Sequence, residues 1–183
     1  MSNVKSNDGA DPSTQQSSSM RKYFLVIAIV VLALDRLTKW AVASNIAPGG
    51  SVVVVPGFFS LTHVQNTGAA FGLFADYSAQ WKIGALVSFS IFALVVVSAL
   101  LWKHSHSFTT TTVGLSLILG GAMGNLWDRM MAGRVVDFLD FHVGSYHWPA
   151  FNVADSAIVI GAILLISEIF FAKSANETVK SNS

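Results

Sequence analysis

No charged side chain interrupts the stretch Ile83-Gly-Ala-Leu-Val-Ser-Phe-Ser-Ile-Phe-Ala-Leu-Val-Val-Val-Ser-Ala-Leu-Leu-Trp102. A helix of about 20 apolar residues crosses the ~30 Å hydrocarbon core of a bilayer. Three other segments have similar length and apolar character, at about residues 23–42, 108–127 and 154–172. Together these segments predict an all-α membrane protein with four transmembrane helices.

The composition of the chain agrees with a membrane protein. Of its 183 residues, 52% are hydrophobic and 11% are charged, and the mean hydropathy is +0.57. Soluble domains carry about 25% charged residues. The net charge of +1, without a basic patch, gives no reason to expect a nucleic-acid partner. The lack of cysteine excludes a thiol nucleophile, a disulfide and a Cys-based metal site.

Basic residues predict the orientation of the four spans. Residues 43–81, between the first two spans, contain no Lys or Arg, whereas Arg21, Lys22, Lys103 and Lys173 flank the opposite ends. Because basic residues accumulate on the cytoplasmic side, we expect both termini in the cytoplasm and residues 43–81 at the outer face.

Polar segments flank the membrane domain, which we expect to cover residues 20–173. Residues 1–19 are rich in Ser, Asn, Gln and Asp, and such a segment cannot bury a core, so we expect a disordered extension. Residues 174–183 form a polar tail. The apolar run after Met20 contains charged residues and no clear cleavage site, which favours a retained helix over a cleaved signal peptide.

A small β element is predicted at the outer face. Residues 51–55 are rich in valine, Pro56-Gly57 is typical of a turn, and residues 58–64 are again strand-like. We therefore expect a small sheet on the membrane surface. The connection at residues 138–150 is predicted to form a second interfacial element.

Two aspartates, Asp137 and Asp155, lie at the edges of membrane-spanning sequence. A carboxylate next to lipid is costly and indicates a function. Asp155 also has a structural interpretation, in which Asn152 is the N-cap of the last helix and Asp155 lies in its first turn. Asp137 has apolar neighbours on both sides and no such interpretation. If the two carboxylates meet, they can share a proton and support acid–base chemistry; Asp140 differs from Asp137 only in its neighbours.

Asp35 and Lys39 are four residues apart in the first span. This spacing places both side chains on one face of a helix, with the acid first, which is the favourable order. We predict an ion pair that anchors the end of the helix, with Lys39 extending outward toward the interface.

Two further motifs combine glycine with polar side chains. Gln65-Asn-Thr-Gly-Ala-Ala-Phe-Gly72 is typical either of a turn after a strand or of a surface that hydrogen-bonds an extended peptide. In the second motif, Gly120 and Gly124 predict close helix packing. Packing does not explain the polar residues that follow, Asn125, Asp128 and Arg129.

Other catalytic chemistries have little support in the sequence. The chain has no His-Glu-x-x-His zinc motif and no Gly-x-Ser-x-Gly elbow. His63, His142 and His147 are scattered, which leaves a serine–histidine pair conceivable. We expect no metal and no cofactor.

Five motifs, in order along residues 20–172, resemble the lipoprotein signal peptidase family, also called signal peptidase II. They are Asp35-Arg-Leu-Thr-Lys39, Gln65-Asn-Thr-Gly-Ala-Ala-Phe-Gly72, Gly124-Asn-Leu-Trp-Asp-Arg129, Val135-Val-Asp-Phe138 and Phe151-Asn-Val-Ala-Asp-Ser156.

The resemblance implies an intramembrane aspartic endopeptidase of the bacterial inner membrane, with its active site at the outer face. The family removes the signal peptides of prolipoproteins, cleaving before a cysteine that carries diacylglycerol. Its catalytic aspartates correspond to Asp137 and Asp155, and its other motif residues to Asn66, Gly68, Asn125, Arg129 and Asn152. The implied partners are such prolipoproteins, membrane lipids and globomycin-type inhibitors.

A small proton-coupled transporter is the alternative interpretation, because it would also place carboxylates in membrane spans. Transporters hold such groups near the middle of the membrane and often contain repeats. The acids of this chain cluster at one face, which favours the peptidase.

Overall fold

The computed structural model describes residues 12–68, 79–104 and 107–181. The helices are α1 (Pro12–Asn45), α2 (Ala79–His104), α3 (Thr110–Ala132) and α4 (Val153–Ser181). The strands are β1 (Ser51–Val55), β2 (Phe59–Asn66), β3 (Val135–Val143) and β4 (Tyr146–His147). The described part of the chain is therefore mostly helical, with a small antiparallel sheet.

Helices that follow one another along the chain run in opposite directions, whereas α1 and α3, which pack together, run in the same direction. Phe24, near the start of α1, stacks on Phe108, just before α3, with ring centroids 5.8 Å apart. Arg21 lies 4.0 Å from the ring centroid of Trp102 at the end of α2. Residues 21–24 of α1 thus lie at the same end of the protein as the start of α3 and the end of α2.

Helix α3 is central and packs against the other three helices. Glycines allow this close approach, because a Cβ at Gly120 would come within 2.6 Å of the Ala28 carbonyl oxygen of α1. A Cβ at Gly121 would likewise collide with the Ala154 carbonyl oxygen of α4. The close packing predicted at Gly120 and Gly124 is confirmed.

Two helical segments in the described residues, 83–104 and 153–170, are long and apolar enough to cross a membrane. The side chains of Phe89 and Phe92 on α2 are 70% and 66% exposed, as expected of a surface that faces lipid. Helices α1 and α3 fall outside this criterion, although they match the predicted spans in position. Their sequences contain charged residues, glycines and threonines, which lower the mean hydropathy.

The predicted β element is present and is larger than expected. Strands β1 and β2 form an antiparallel hairpin, and Gly57 in its turn has φ of +75°, which glycine adopts without strain. Strand β3, which the sequence did not predict, pairs with β2 and places Asp137 opposite Val64. The sheet order β1-β2-β3-β4 joins the two predicted outer elements into one layer.

Both polar flanks are helical where the structure describes them. Helix α1 begins at Pro12, so residues 12–19 are helical although the sequence predicts disorder there, and α4 continues through the polar tail to Ser181. Polar residues can extend a helix that has already formed, because extension avoids the unfavourable step of nucleating a new helix. Residues 1–11 of the predicted extension, residues 69–72 of the glycine motif and residues 182–183 lie outside the described part of the chain.

Candidate active site

Asp137 is a buried carboxylate on β3, with 3% of its surface exposed. Asn66 at the end of β2 donates to its Oδ2 at 2.9 Å, and Asn152 donates to its Oδ1 at 2.7 Å. Burial is the largest cause that raises the pKa of Asp137, the charge of Asp155 also raises it, and the net pKa is about 6. The hydrogen bonds from the two asparagines and the charge of Lys39 act in the opposite direction.

Asp155 lies in the first turn of α4, and the predicted capping arrangement with Asn152 is confirmed. The Asn152 side-chain oxygen accepts from the Asp155 backbone N–H at 3.0 Å, and Asp155 Oδ2 accepts from the Asn152 backbone N–H at 3.3 Å. This reciprocal pair is a capping box. The other carboxylate oxygen of Asp155, Oδ1, accepts from Asn125 Nδ2 at 2.7 Å. Capping therefore uses only part of the carboxylate.

Asn152 connects the two carboxylates. It is fully buried, and its side-chain NH2 contacts Asp137 while its backbone N–H contacts Asp155. One residue of the α4 cap thus holds a strand carboxylate and a helix carboxylate beside each other. Their proximity is what a proton-sharing pair requires.

Asn125 and Arg129 extend the site along the end of α3. Asn125 is 6% exposed, and the Arg129 guanidinium donates to the Asn125 backbone carbonyl at 3.3 Å. Both side chains line the same cavity as Asp137 and Asp155. Arg129 thus provides positive charge at the rim of the carboxylate pair.

Asn66 and Gly68 form a local turn beside the site. The Asn66 side-chain oxygen accepts from the Gly68 backbone N–H at 2.9 Å, while its NH2 contacts Asp137. The Asn66 amide is therefore engaged within the protein, and its contacts support the carboxylate. Gly68 lines the cavity through its backbone.

The predicted ion pair of Asp35 and Lys39 is present, at 2.8 Å, but Lys39 does not extend to the interface. Lys39 is 3% exposed and also contacts Asp128 Oδ2 at 2.7 Å and Asn125 Oδ1 at 3.1 Å. The lysine turns inward because three oxygen atoms surround its ammonium group, which satisfies a buried cation. The prediction of outward extension was therefore wrong.

The ion-pair network also contains residues whose role the sequence left open. Arg36, which sequence reasoning missed, pairs with Asp128. Asp35 Oδ1 accepts from the Ala154 backbone N–H at 3.0 Å, so α1 contributes an acceptor to the first turn of α4. Arg36 directly follows Asp35, but its ion pair could not be predicted from the sequence, because its partner Asp128 lies on α3, far away in the chain.

A cavity of about 990 Å³ opens in front of the carboxylate pair. Its polar lining includes Asn66, Gly68, Asn125, Arg129, Asp137 and Asp155. Its apolar lining comes from three helices and includes Leu86, Phe89, Ala93, Ile118, Ala122, Ile158 and Val159. The cavity thus joins buried acids to an apolar groove between α2, α3 and α4.

The remaining candidates form no second catalytic centre in the described chain. Asp140 contacts His147 Nδ1 at 2.9 Å on the sheet, away from the cavity lining. Ser60 Oγ lies 3.4 Å from His142 Nε2, also outside the cavity lining. Among the described residues, no group of three or more His, Cys, Asp or Glu side chains could hold a metal ion.

These features describe a class of protein: a helical protein with apolar helices, in which two aspartates line a groove with apolar walls. The family model described as "Signal peptidase (SPase) II" matches residues 27–171. The chain therefore belongs to the signal peptidase II family of aspartic peptidases. This assignment leaves the transporter alternative without support.

Named relatives cover most of the chain. The lipoprotein signal peptidase of Solibacter usitatus is 44% identical over 147 residues, which is 80% of this chain and 90% of that protein. The protein of the same name from Burkholderia mallei is 48% identical over 143 residues, 78% of this chain and 84% of that protein.

Two solved bacterial membrane enzymes share the fold. One, determined by the in meso method at 2.3 Å resolution, has a TM-score of 0.75 and 32% identity, covering 84% of this chain and 91% of its own. Another, at 1.9 Å resolution, has a TM-score of 0.71 and 33% identity, covering 81% and 92%. This protein is thus similar in fold as well as sequence to membrane enzymes.

Proposed function

We propose that this protein removes the signal peptides of prolipoproteins by cleaving before a diacylglyceryl-modified cysteine, with Asp137 and Asp155 as the catalytic pair. The observation that carries the assignment is Asn152, which holds both carboxylates at the end of an apolar groove. A signal segment is apolar, so its natural position in such a site is along the groove, with the scissile bond at the acids.

The two aspartates have different roles in this proposal. Asp137 is the member that carries the proton in the reactive form, because its raised pKa of about 6 lets it hold a proton closer to neutral pH than an ordinary aspartate does. Asp155 is the ionised member, because it lies at the N-terminus of α4 and accepts from Asn125. Asp155 takes a proton from water as the water attacks the scissile carbonyl. Asp137 hydrogen-bonds the carbonyl oxygen and later protonates the leaving nitrogen.

The neighbouring residues support the pair without acting on the peptide bond. Asn66, Asn125 and Asn152 donate hydrogen bonds to the carboxylates. Arg129 also lines the cavity, where its guanidinium has further N–H donors for substrate carbonyl groups, whereas the Gly68 N–H already donates to Asn66. Because no covalent enzyme intermediate forms, the reaction requires no nucleophilic side chain, metal or cofactor.

The membrane arrangement that we propose has all four helices crossing the bacterial inner membrane, with both termini in the cytoplasm. The end marked by Arg21, Lys22 and Lys103 is then cytoplasmic, in line with the positive-inside rule. The carboxylate pair and the sheet lie toward the opposite end, at the outer face, where water reaches the acids. Lipid chains of the modified cysteine remain in the surrounding bilayer.

The proposed catalytic unit is residues 20–173, without the polar extension and tail. Globomycin-type cyclic peptides are the proposed inhibitors. An extended backbone in the cavity would meet Asn66, Gly68 and Arg129, the same groups that a bound substrate would meet.

Substitution of single aspartates tests the catalytic assignment. Asp137→Asn and Asp155→Asn each replace a proton donor or acceptor by an amide of the same shape, so we expect loss of cleavage with the fold retained. Cleavage of a diacylglyceryl-modified prolipoprotein by purified protein in detergent is the measurement.

Asp140→Asn is the matched control, since Asp140 lies on the same strand but contacts His147 outside the cavity. This variant should retain substantial activity. If Asp140→Asn loses cleavage while Asp137→Asn retains it, the assignment of Asp137 and Asp155 as the catalytic pair is wrong.

A further inference from the structure

Lys39 is a buried cation that is separated from the candidate catalytic pair, Asp137 and Asp155, by the side chain of Asn125. Its ammonium group contacts Asp35, Asp128 and the Asn125 side-chain oxygen at 2.8, 2.7 and 3.1 Å. Two carboxylates already balance its charge, so the contact with Asn125 exceeds what an ion pair requires.

An ammonium group has donors and no acceptor. Asn125 must therefore turn its oxygen toward Lys39, which leaves its NH2 facing Asp155 at 2.7 Å. The reverse orientation would place NH2 against the ammonium group and a carbonyl oxygen against the carboxylate. Lys39 thus selects one of the two amide orientations.

The other two asparagines that contact the dyad have their oxygens occupied in a comparable way. The Asn66 oxygen accepts from the Gly68 N–H, and the Asn152 oxygen accepts from the Asp155 N–H. Each amide consequently presents NH2 to an aspartate. Backbone groups fix these two, whereas the Asn125 oxygen accepts from the Lys39 ammonium group at 3.1 Å and, at the longer distance of 3.5 Å, from Asn152 Nδ2.

We propose that Lys39 is a positioning residue for catalysis, which holds the Asn125 amide so that its NH2 donates to Asp155. The proposal rests on the function assigned above, in which Asp155 is the ionised member of the pair. Without Lys39, the Asn125 amide can rotate and present its oxygen to Asp155. A carbonyl oxygen beside Asp155 favours its protonated form, which cannot activate water.

A double-mutant cycle tests whether Lys39 acts through Asn125. The variants are Lys39→Met, Asn125→Ala and the combination of both, with cleavage of a diacylglyceryl-modified prolipoprotein peptide measured in detergent. We expect kcat to fall at least about tenfold in each single variant, with KM changed far less. The combination should be no worse than Asn125→Ala alone, because the contact is then already absent. Independent, multiplying effects would overturn the proposal.

The pH profile distinguishes positioning from a general loss of structure. In Lys39→Met, the acidic limb of kcat should move toward higher pH, because an ionised base that loses a donor is less favoured. The charged groups that remain near Asp155 are Asp137 and Arg129, and Asp35 accepts from the backbone N–H of the preceding residue, Ala154. A damaged fold would lower the plateau and leave the limb in place, and that result would contradict the proposal.

Arg36→Met is the matched control, because it removes a neighbouring cation of the same network without touching Asn125. It should keep near wild-type kcat and the wild-type pH profile. Lys39→Met leaves Asp35 buried without its ion-pair partner. If this variant does not fold, the double variant Asp35→Asn/Lys39→Met, which removes that buried charge, replaces Lys39→Met in the cycle. An inactive wild type would contradict the proposed function, whereas an active wild type with an unaffected Lys39→Met would contradict only this inference.

Discussion

At the scale of single residues, the burial of Asp137 has a thermodynamic cost. Its carboxyl has a pKa of about 6 in the folded protein, against 3.8 for the ordinary value. The folded state therefore binds this proton more tightly than the unfolded state, and folding stability falls as pH rises from about 4 to 6. The difference amounts to about 3 kcal/mol at neutral pH. Such a cost is characteristic of functional acids.

Asp137→Asn removes this titration, so the effect is measurable without substrate. We expect the melting temperature of wild type to fall, relative to that of the variant, as pH rises from 4 to 7. Below pH 4 the difference between the two proteins should become constant, because Asp137 is protonated in both states of wild type. The measurement is thermal unfolding in detergent across this pH range. If melting temperature depends on pH in the same way in both proteins, burial of the Asp137 carboxylate does not destabilise the fold.

The sequence could indicate the two acids and the cap that joins Asp155 to Asn152, but not the partners of Asp137. Asp137 and Asp155 were recognisable from their apolar surroundings and their position at span ends. The inward turn of Lys39 was not, because it depends on Asn125 and Asp128, which follow it by more than 80 residues. Helical spacing predicts the local pair with Asp35 and contains no information on those distant oxygens.

At the scale of elements, α3 connects the fold to the site. Gly124 faces α1, and a Cβ there would lie 2.6 Å from Asp35 Oδ2. The glycine thus gives space to the carboxylate that pairs with Lys39 and accepts from Ala154. Close helix packing and site geometry depend on the same position.

Gly124→Ala should therefore be destabilising and strongly reduce cleavage. The added methyl group displaces Asp35, and overpacking of this kind costs about 1–3 kcal/mol. Gly84→Ala on α2 is the control, since a Cβ there meets no atom within 4 Å. We expect it to be neutral or slightly stabilising, because alanine favours the helix. Equal melting temperatures and activities for the two variants would refute this account of α3 packing.

Strand β3 shows why the sequence predicts some elements better than others. The β1–β2 hairpin is local, so valine-rich runs around Pro56-Gly57 predict it. Strand β3 follows α3 directly and pairs with β2, for example Asp137 with Val64, so its pairing is set by tertiary contact. Its acidic and aromatic residues alternate too weakly for a prediction from sequence alone.

At the scale of the whole molecule, the helices leave a groove rather than a closed bundle. Helix α3 forms its floor, while α2 and α4 contribute side walls with Ala93 and Val159 among the lining residues. In the proposed membrane arrangement, this groove faces the hydrocarbon region and ends at the acids. A membrane-embedded signal segment could then reach the dyad without leaving the bilayer.

Filling the groove tests this arrangement. Ala93→Trp places an indole among its apolar lining, so we expect kcat/KM for a prolipoprotein to fall about tenfold or more. Ala99→Trp is the matched control, because Ala99 lies on the same helix, is exposed and is not part of the cavity lining. It should retain wild-type cleavage, with both variants equally stable in thermal unfolding. Equal kcat/KM values for the two tryptophan variants would place the signal segment outside the groove, since only Ala93→Trp narrows the path from the apolar end to Asp137 and Asp155.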